Sequence, residues 1–523
     1  MSKIEIRHSC IIIHDYSIGD RENLERFFSI YDKGYHKYKS KVIYYDEEKK
    51  DLYLPSGMDM YYVLKNFGND IFRKVAPDEY EQMGDVRLKC LPRDDTQKQA
   101  IKFLLGYDNF FNNKRATQLC LNLGTGKGKT YVAITFAVCL GIKTMMITSS
   151  IDWIMQWKTK ILEYTNIKED EIYIIQGSSS VAKLLNGIKN LNDIKFYLCS
   201  HDTLKSIANR YGWDSIRSLF QSLKIGIKIY DEAHYYFDNM CMVDYFSDVL
   251  KTLYLTATPS RSDRKEDILY QTVFKNVPSI SLFDPENDPH TEYIGVLFNS
   301  HPSPVDISNC QNMYGFSQIA YCNYLVHKNN YYNLLNVLIP TVLNDISENG
   351  KVLIYIGTNY AIKLTYYWLI YYFPRVSVGI FTSIVPKEQK RQALDCKLIL
   401  STTKSAGAAL DIQGLEATIV LNEPFKSQVL AQQTFGRTRA ANTKYYDVVD
   451  IGFGSICYYY KAKMPVFKKF ATRCSEIKLT DYELKEMAMD INRAKNEERK
   501  MMENNPNVKL KPIVEIVKKD GEE

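Results

Sequence analysis

The sequence predicts an α/β protein in which two tandem parallel-sheet domains follow a small α+β amino-terminal module. Three observations carry this prediction. At 523 residues the chain is too long for one hydrophobic core. Two blocks alternate short, near-continuous apolar runs with helical stretches, the pattern of strands covered on both faces by crossover helices. Between the blocks lies Asp284 to His290, a Pro- and Asp-rich segment that reads as a linker.

Residues 1–86 form the predicted module. Lys41 to Tyr45 and Asp51 to Pro55 flank the turn Asp46 to Lys50 as a hairpin, and Tyr61 to Lys65 reads as helix. Residues 87–285 form the first domain, with strands at Gln118 to Leu121, Thr144 to Thr148, Glu171 to Ile175, Phe196 to Ser200, Ile225 to Tyr230 and Thr252 to Thr256. Helices at Thr130 to Leu140 and Trp153 to Tyr164 separate some of them. Residues 286–465 form the second domain, with strands at Lys351 to Ile356, Val376 to Phe381, Leu398 to Ser401, Ala417 to Leu421 and Tyr445 to Ile451. Residues 466–523 read as a charged docking helix, Tyr482 to Met502, and a Lys-rich end.

Composition narrows the class. Hydrophobic residues make up 45% and charged residues 24%, values ordinary for a globular protein and unlike a disordered one. The net charge of +6, from 67 basic and 61 acidic residues, leans towards a polyanionic partner but equally serves solubility. Forty Tyr residues fit either biased coding or a base-stacking surface. Eleven Cys, an odd number without a CxxC pair, suit reduced thiols rather than a disulfide framework or zinc ribbon. No signal-peptide core or membrane-length apolar run is present, so a cytoplasmic protein is expected.

Two motifs carry chemistry. Gly124-Thr125-Gly126-Lys127-Gly128-Lys129-Thr130 follows a predicted strand and opens a helix. Backbone N–H groups of such a turn wrap phosphates, Lys129 neutralises them, and the Thr130 hydroxyl suits magnesium. Leu123 stands where the strict loop pattern has Gly, and a plain helix-capping turn is the alternative. Downstream, Asp231-Glu232-Ala233-His234 ends another apolar run. Asp231 there can hold the magnesium ion while Glu232 polarises an attacking water.

With these motifs in place, the chain resembles the superfamily 2 helicases and translocases with an Asp-Glu-Ala-His box. Gln97, within Pro92 to Ala100, matches the adenine-reading glutamine of that family, with one extra residue separating it from Arg93. Ser149-Ser150 through Gln156-Trp157, Ser200-His201-Asp202-Thr203-Leu204, and Thr403 ahead of Ser405 resemble strand-contacting segments. Thr256-Ala257-Thr258-Pro259 resembles the segment linking hydrolysis to nucleic acid, and His234 is either a relay to it or a helix cap. Ser405 to Ile412 resembles the motif whose Asp, here Asp411, couples the domains, with Ala409 in place of Gly. Gln433-Thr434-Phe435-Gly436-Arg437-Thr438-Arg439 resembles the arginine-finger motif, but Ala440 occupies its final Arg position and Arg439 lies one residue early. Arg437 is the better-placed finger; its alternative is a surface ion pair. Trp157 reads as a core residue, and Lys387 to Arg391 as a solvated helix face.

The resemblance implies two RecA-like domains, ATP and Mg2+ as cofactors, and a nucleic-acid partner. A guanidinium from the second domain would complete the site when the cleft closes, so that turnover drives stepping along a strand. The short amino-terminal module, Leu52 to Gly57 with Ser56 where an Arg is usual, and Tyr445 to Asp450 are similar to phage helicases of the UvsW type. This similarity implies a DNA-remodelling motor of phage or viral origin acting in recombination, repair or replication. The alternatives are an RNA helicase in transcription, or a nucleotide-gated binding protein or translocase subunit of a restriction complex.

Overall fold

The computed structural model describes the chain apart from residues 1–2, 17–27, 33–36, 41, 68–70, 125–126, 178–192, 234–235, 257–263, 283–290, 314, 407–411, 438–441 and 504–523. It divides into two compact units, Met1–Phe283 and Asp284–Glu523. Among the described residues no helix is long and apolar enough to cross a membrane.

The first unit opens with a five-stranded sheet ordered Tyr44–Asp46, Asp51–Pro55, Cys10–His14, Lys3–Ile6, Ile71–Lys74. Only the last pairing is parallel. Cys10 to Ile13 and Asp51 to Pro55 are buried without alternation, because this sheet is covered rather than half solvated. Its cover comes from the same unit. Tyr53 stacks on Phe246 at 5.5 Å, the Tyr245 hydroxyl donates to the Val42 carbonyl, and the Asp248 carboxylate accepts from the Ser9 N–H. Gly57 is required at this junction, since a Cβ there would sit 2.3 Å from the Val273 carbonyl oxygen.

The first unit's main sheet has seven parallel strands ordered Ile172–Ile175, Phe196–Ser200, Thr144–Thr148, Ile227–Tyr230, Lys251–Thr256, Gln118–Leu123, Ser279–Leu282. The central strands are buried throughout, as their apolar runs require. Lys228 breaks that apolar rule, and the structure explains it. Its ammonium pairs with Asp244 at 2.6 Å and donates to Ser247, while the hydroxyls of Tyr230 and Tyr254 donate to the same carboxylate. The edge strand Ser279–Leu282 lacks an apolar run and was not predicted.

The second unit has its own seven-stranded parallel sheet, ordered Val378–Phe381, Leu398–Ser401, Lys351–Tyr355, Leu415–Val420, Thr443–Asp450, Thr291–Phe298, Arg473–Lys478. The architecture is thus α/β, with tandem RecA-like parallel sheets behind a small mixed sheet. Two of these strands were not predicted. Thr291–Phe298 is interrupted by Glu292 and Gly295, and Arg473–Lys478 is mostly exposed and polar. The latter makes the chain's last segment more than a docking helix: it adds an edge strand, after which Leu484 and Ala488 of helix Asp481–Glu503 are buried. Beside the sheet, Lys463 pairs with Asp447 at 2.8 Å, with side chains 3% and 1% exposed.

Candidate nucleotide-hydrolysis site

The order of the first unit's main sheet places three strand ends together. Gln118–Leu123, Lys251–Thr256 and Ile227–Tyr230 are neighbours, and all run parallel. Their carboxyl ends therefore share one edge, where ligands of open α/β sheets bind.

The phosphate loop leaves the first of these strands. Gly124 begins it, and its carbonyl accepts from the Lys127 N–H. Gly128 caps helix Lys129–Leu140 with φ 84°, a left-handed conformation suited to glycine. A Cβ there would also lie 2.1 Å from the Gln97 amide nitrogen. The helix's first turn carries Lys129 and then Thr130, so both lie where an anion meets a helix amino terminus. Thr125 and Gly126 lie outside the described residues.

Gln97 is buried beside this loop. The Asp94 carboxylate caps its helix by accepting from the Gln97 N–H, at 2.8 Å. Its side-chain oxygen accepts from the Arg93 N–H, and its amide donates to the Lys127 carbonyl at 3.4 Å. Both ends of the amide bind the chain itself. Gln97 thus clasps its own segment to the phosphate loop, where the resemblance implied an adenine reader.

The carboxylate pair sits opposite. Asp231 donates its N–H to Ile147 and Ala233 donates to Leu255, so backbone bonds to both neighbouring strand ends hold the box. Glu232 takes φ 51°, uncommon for a non-glycine residue, and its carboxylate meets the Lys129 ammonium at 2.9 Å. Both side chains of that ion pair are largely buried, at 11% and 6% exposed. Burial and the adjacent Glu232 push the Asp231 carboxyl up to about 6, opposed by the Lys129 ammonium and by a hydrogen bond from Trp157. That bond is the feature that sequence reasoning missed: the Trp157 indole N–H donates to Asp231 Oδ2 at 2.8 Å. The Gln-Trp pair was visible, but the partner of a buried indole is not written in its neighbours.

The oxygen donors suit magnesium. A carboxylate and a hydroxyl, with phosphates supplying the rest, form the usual nucleotide-borne shell, and no cluster of three or more acidic, His or Cys side chains that could hold a metal occurs among the described residues. Asp231 and Thr130 would hold the ion, which when bound with ATP would offset phosphate charge during transfer.

Several expected nucleic-acid contacts are placed differently. His201 is only 1% exposed and lies stacked between Tyr230, at 5.7 Å, and Tyr236, at 4.8 Å. Burial pushes its imidazole down to about 3, so the ring is neutral and faces core rather than phosphates. The Thr203 N–H donates to the Ser200 hydroxyl, completing the cap of helix His201–Tyr211. Ser149 and Ser150 are half-buried at the start of helix Ile151–Tyr164, and the Ser150 side chain makes no capping bond. Thr256 is buried at its strand's end. His234 and Thr258 lie outside the described residues.

In the second unit, Thr403 is buried, and its N–H and hydroxyl both donate to Glu423, at 2.8 and 2.5 Å. Those donors are spent inside the unit, so Thr403 supports a turn instead of presenting itself to a strand. Gln433 and Arg437 are both buried, Arg437 at 3% exposed, which does not suit a surface ion pair. Asp411 and Arg439 lie outside the described residues.

Glu423 yields a pH prediction. Burial raises its carboxyl to about 7 from an ordinary 4.5, against the Thr403 bonds. Between those values the folded carboxyl holds a proton that the unfolded one has lost. Its stabilising contribution is therefore complete below about pH 4.5 and lost as pH rises through about 7. Glu423→Gln is expected to narrow the gap between melting temperatures at about pH 5 and about pH 8. An unchanged gap contradicts the assignment.

A phosphate loop and a carboxylate pair thus meet at the carboxyl edge of one parallel sheet, on strands separated by Lys251–Thr256, and a second parallel-sheet unit follows in the chain. Residues 91–261 match the family described as type III restriction enzyme, res subunit. No curated protein matches the chain by sequence. Among solved structures, the chain is similar to S. cerevisiae Dbp5 bound to RNA and ADP BeF3, at 14% identity over 82% of this chain and 95% of that one, with TM-score 0.48. It is also similar to T4 UvsW, at 13% identity over 92% of this chain and 100% of that one, with TM-score 0.34. At such scores neither likeness bears on substrate or pathway.

Proposed function

We propose that the protein is an ATP-driven DNA helicase or translocase that remodels duplex or branched DNA by unwinding, annealing or branch migration. The observation that carries this is the buried Lys129–Glu232 pair at 2.9 Å, beside an Asp231 held at the next strand's end. An ammonium and two carboxylates on the sheet edge are the groups that phosphoryl transfer from ATP to water requires. Lys129 binds the β- and γ-phosphates, displacing its contact with Glu232. The released Glu232 carboxylate then orients the attacking water; Asp231 and Thr130 would hold Mg2+ when it is bound. Arg437 stabilises charge on the transferred phosphoryl group, and Asp411, Thr256 and Thr258 relay nucleotide state to the bound strand. The resemblance of Leu52 to Gly57 and of Tyr445 to Asp450 to UvsW-type helicases favours DNA and a phage or viral setting in the host cytoplasm. The surplus of basic residues suits a phosphate backbone.

Strand displacement tests the choice of substrate. With ATP and Mg2+, the protein is expected to resolve a branched DNA faster than an RNA duplex of the same sequence. Preferential action on the RNA duplex contradicts the DNA assignment.

A further inference from the structure

Among the described residues, Trp157 is a buried polar donor at the carboxylate pair that the proposed hydrolysis leaves without a role. It lies in the second turn of helix Ile151–Tyr164, 3% exposed, and its indole N–H reaches Asp231 Oδ2 at 2.8 Å. Packing alone does not call for this bond. A phenylalanine would fill most of the same space but would give the half-buried Asp231 carboxylate no donor. Indole is a donor only, so it can neither accept the carboxyl proton nor turn to offer a lone pair. The two ends of the bond are also tied together by backbone. The Asp231 N–H donates to Ile147, in the strand that leads through Ser149 and Ser150 into the tryptophan's own helix. One strand-helix corner therefore fixes Asp231 twice, through its main chain and through its side chain.

We infer that Trp157 is a positioning residue for the metal-nucleotide site, fixing the Asp231 carboxylate in the orientation that receives the ion. This rests on the proposed hydrolytic reading of Asp231. Outer partners of metal ligands act in this way: they set a ligand's orientation without touching the metal.

The test is Mn2+ binding by the full chain in the presence of ADP, followed by electron paramagnetic resonance, in wild type, Trp157→Phe and Ile154→Val. Ile154 is buried on the same helix and lacks a polar group. Trp157→Phe is expected to raise the half-saturating Mn2+ concentration roughly tenfold, and the Mg2+ requirement of turnover in parallel. Ile154→Val is expected to match wild type. A merely structural tryptophan would lower the melting temperature and leave Mn2+ affinity unchanged, and that result overturns the inference. Equal losses in both variants overturn it as well. If wild type itself fails to bind Mn2+ with ADP, the hydrolytic reading fails, a different outcome from failure of the tryptophan's role. Should Trp157→Phe not fold, a chain with Trp153, Trp213 and Trp368 changed to Phe leaves Trp157 as the sole indole. Its emission is expected to be quenched by Mn2+ with ADP but not by ADP alone, and no quenching overturns the inference.

Discussion

Glu232→Gln is expected to lower the rate of ATP hydrolysis by about 10²–10⁴-fold while nucleotide binding is kept. The substitution retains size and one acceptor oxygen but removes the charge that polarises water. The left-handed backbone at Glu232, φ 51°, is equally accessible to Gln. The same change frees Lys129 from its ion pair at 2.9 Å. Phosphates then no longer compete with Glu232 for the ammonium, so ATP affinity should hold or rise. A filter-binding assay alongside phosphate release separates the two quantities. A variant that hydrolyses ATP as fast as wild type contradicts the role given to Glu232 and leaves a nucleotide-gated binding protein as the better description.

The largest effect on stability is expected in the second unit. Lys463→Ala would leave Asp447 buried with, among the described side chains, the Tyr293 hydroxyl, which donates to it at 3.0 Å. Breaking a buried ion pair on one side costs about 3–5 kcal/mol, because the remaining charge is neither solvated nor matched. The Tyr293 bond places the expected loss at the lower end, about 3 kcal/mol. Replacing both partners with apolar groups, Lys463→Met with Asp447→Leu, should restore most of it. Urea midpoints for the second unit's transition measure both changes. A loss below about 0.5 kcal/mol in the single variant, the scale of an ordinary surface substitution, contradicts the buried-pair assignment.

These particulars show what the sequence could disclose. Thr144–Thr148 and Lys351–Tyr355 were legible because a strand buried on both faces must be apolar throughout. The phosphate loop and the box were legible because their chemistry fixes residue type and spacing. Ser279–Leu282 and Arg473–Lys478 were not, since an edge strand needs little apolar surface. Lys228 was also opaque: a lysine inside a strand makes sense only once Asp244 and Ser247 are seen beside it. His201 and Thr403 share a feature that their segments did not disclose. Each lies in a segment resembling a strand contact, and each side chain is occupied by neighbours far away in sequence, Tyr230 and Tyr236 for one and Glu423 for the other. Motif resemblance located the segments but not which way their side chains turn. Trp157 is the converse case, a residue that reads as plain core yet carries a polar bond to Asp231.

Phosphate release by the wild-type protein, with and without nucleic acid, tests the proposed motor most directly. With ATP and Mg2+, turnover is expected to be slow alone, to rise when single-stranded or branched DNA is added, and to lose that rise as salt displaces the strand. Turnover that is absent, or that neither DNA nor RNA changes, contradicts a nucleic-acid-driven ATPase built on Lys129, Asp231 and Glu232.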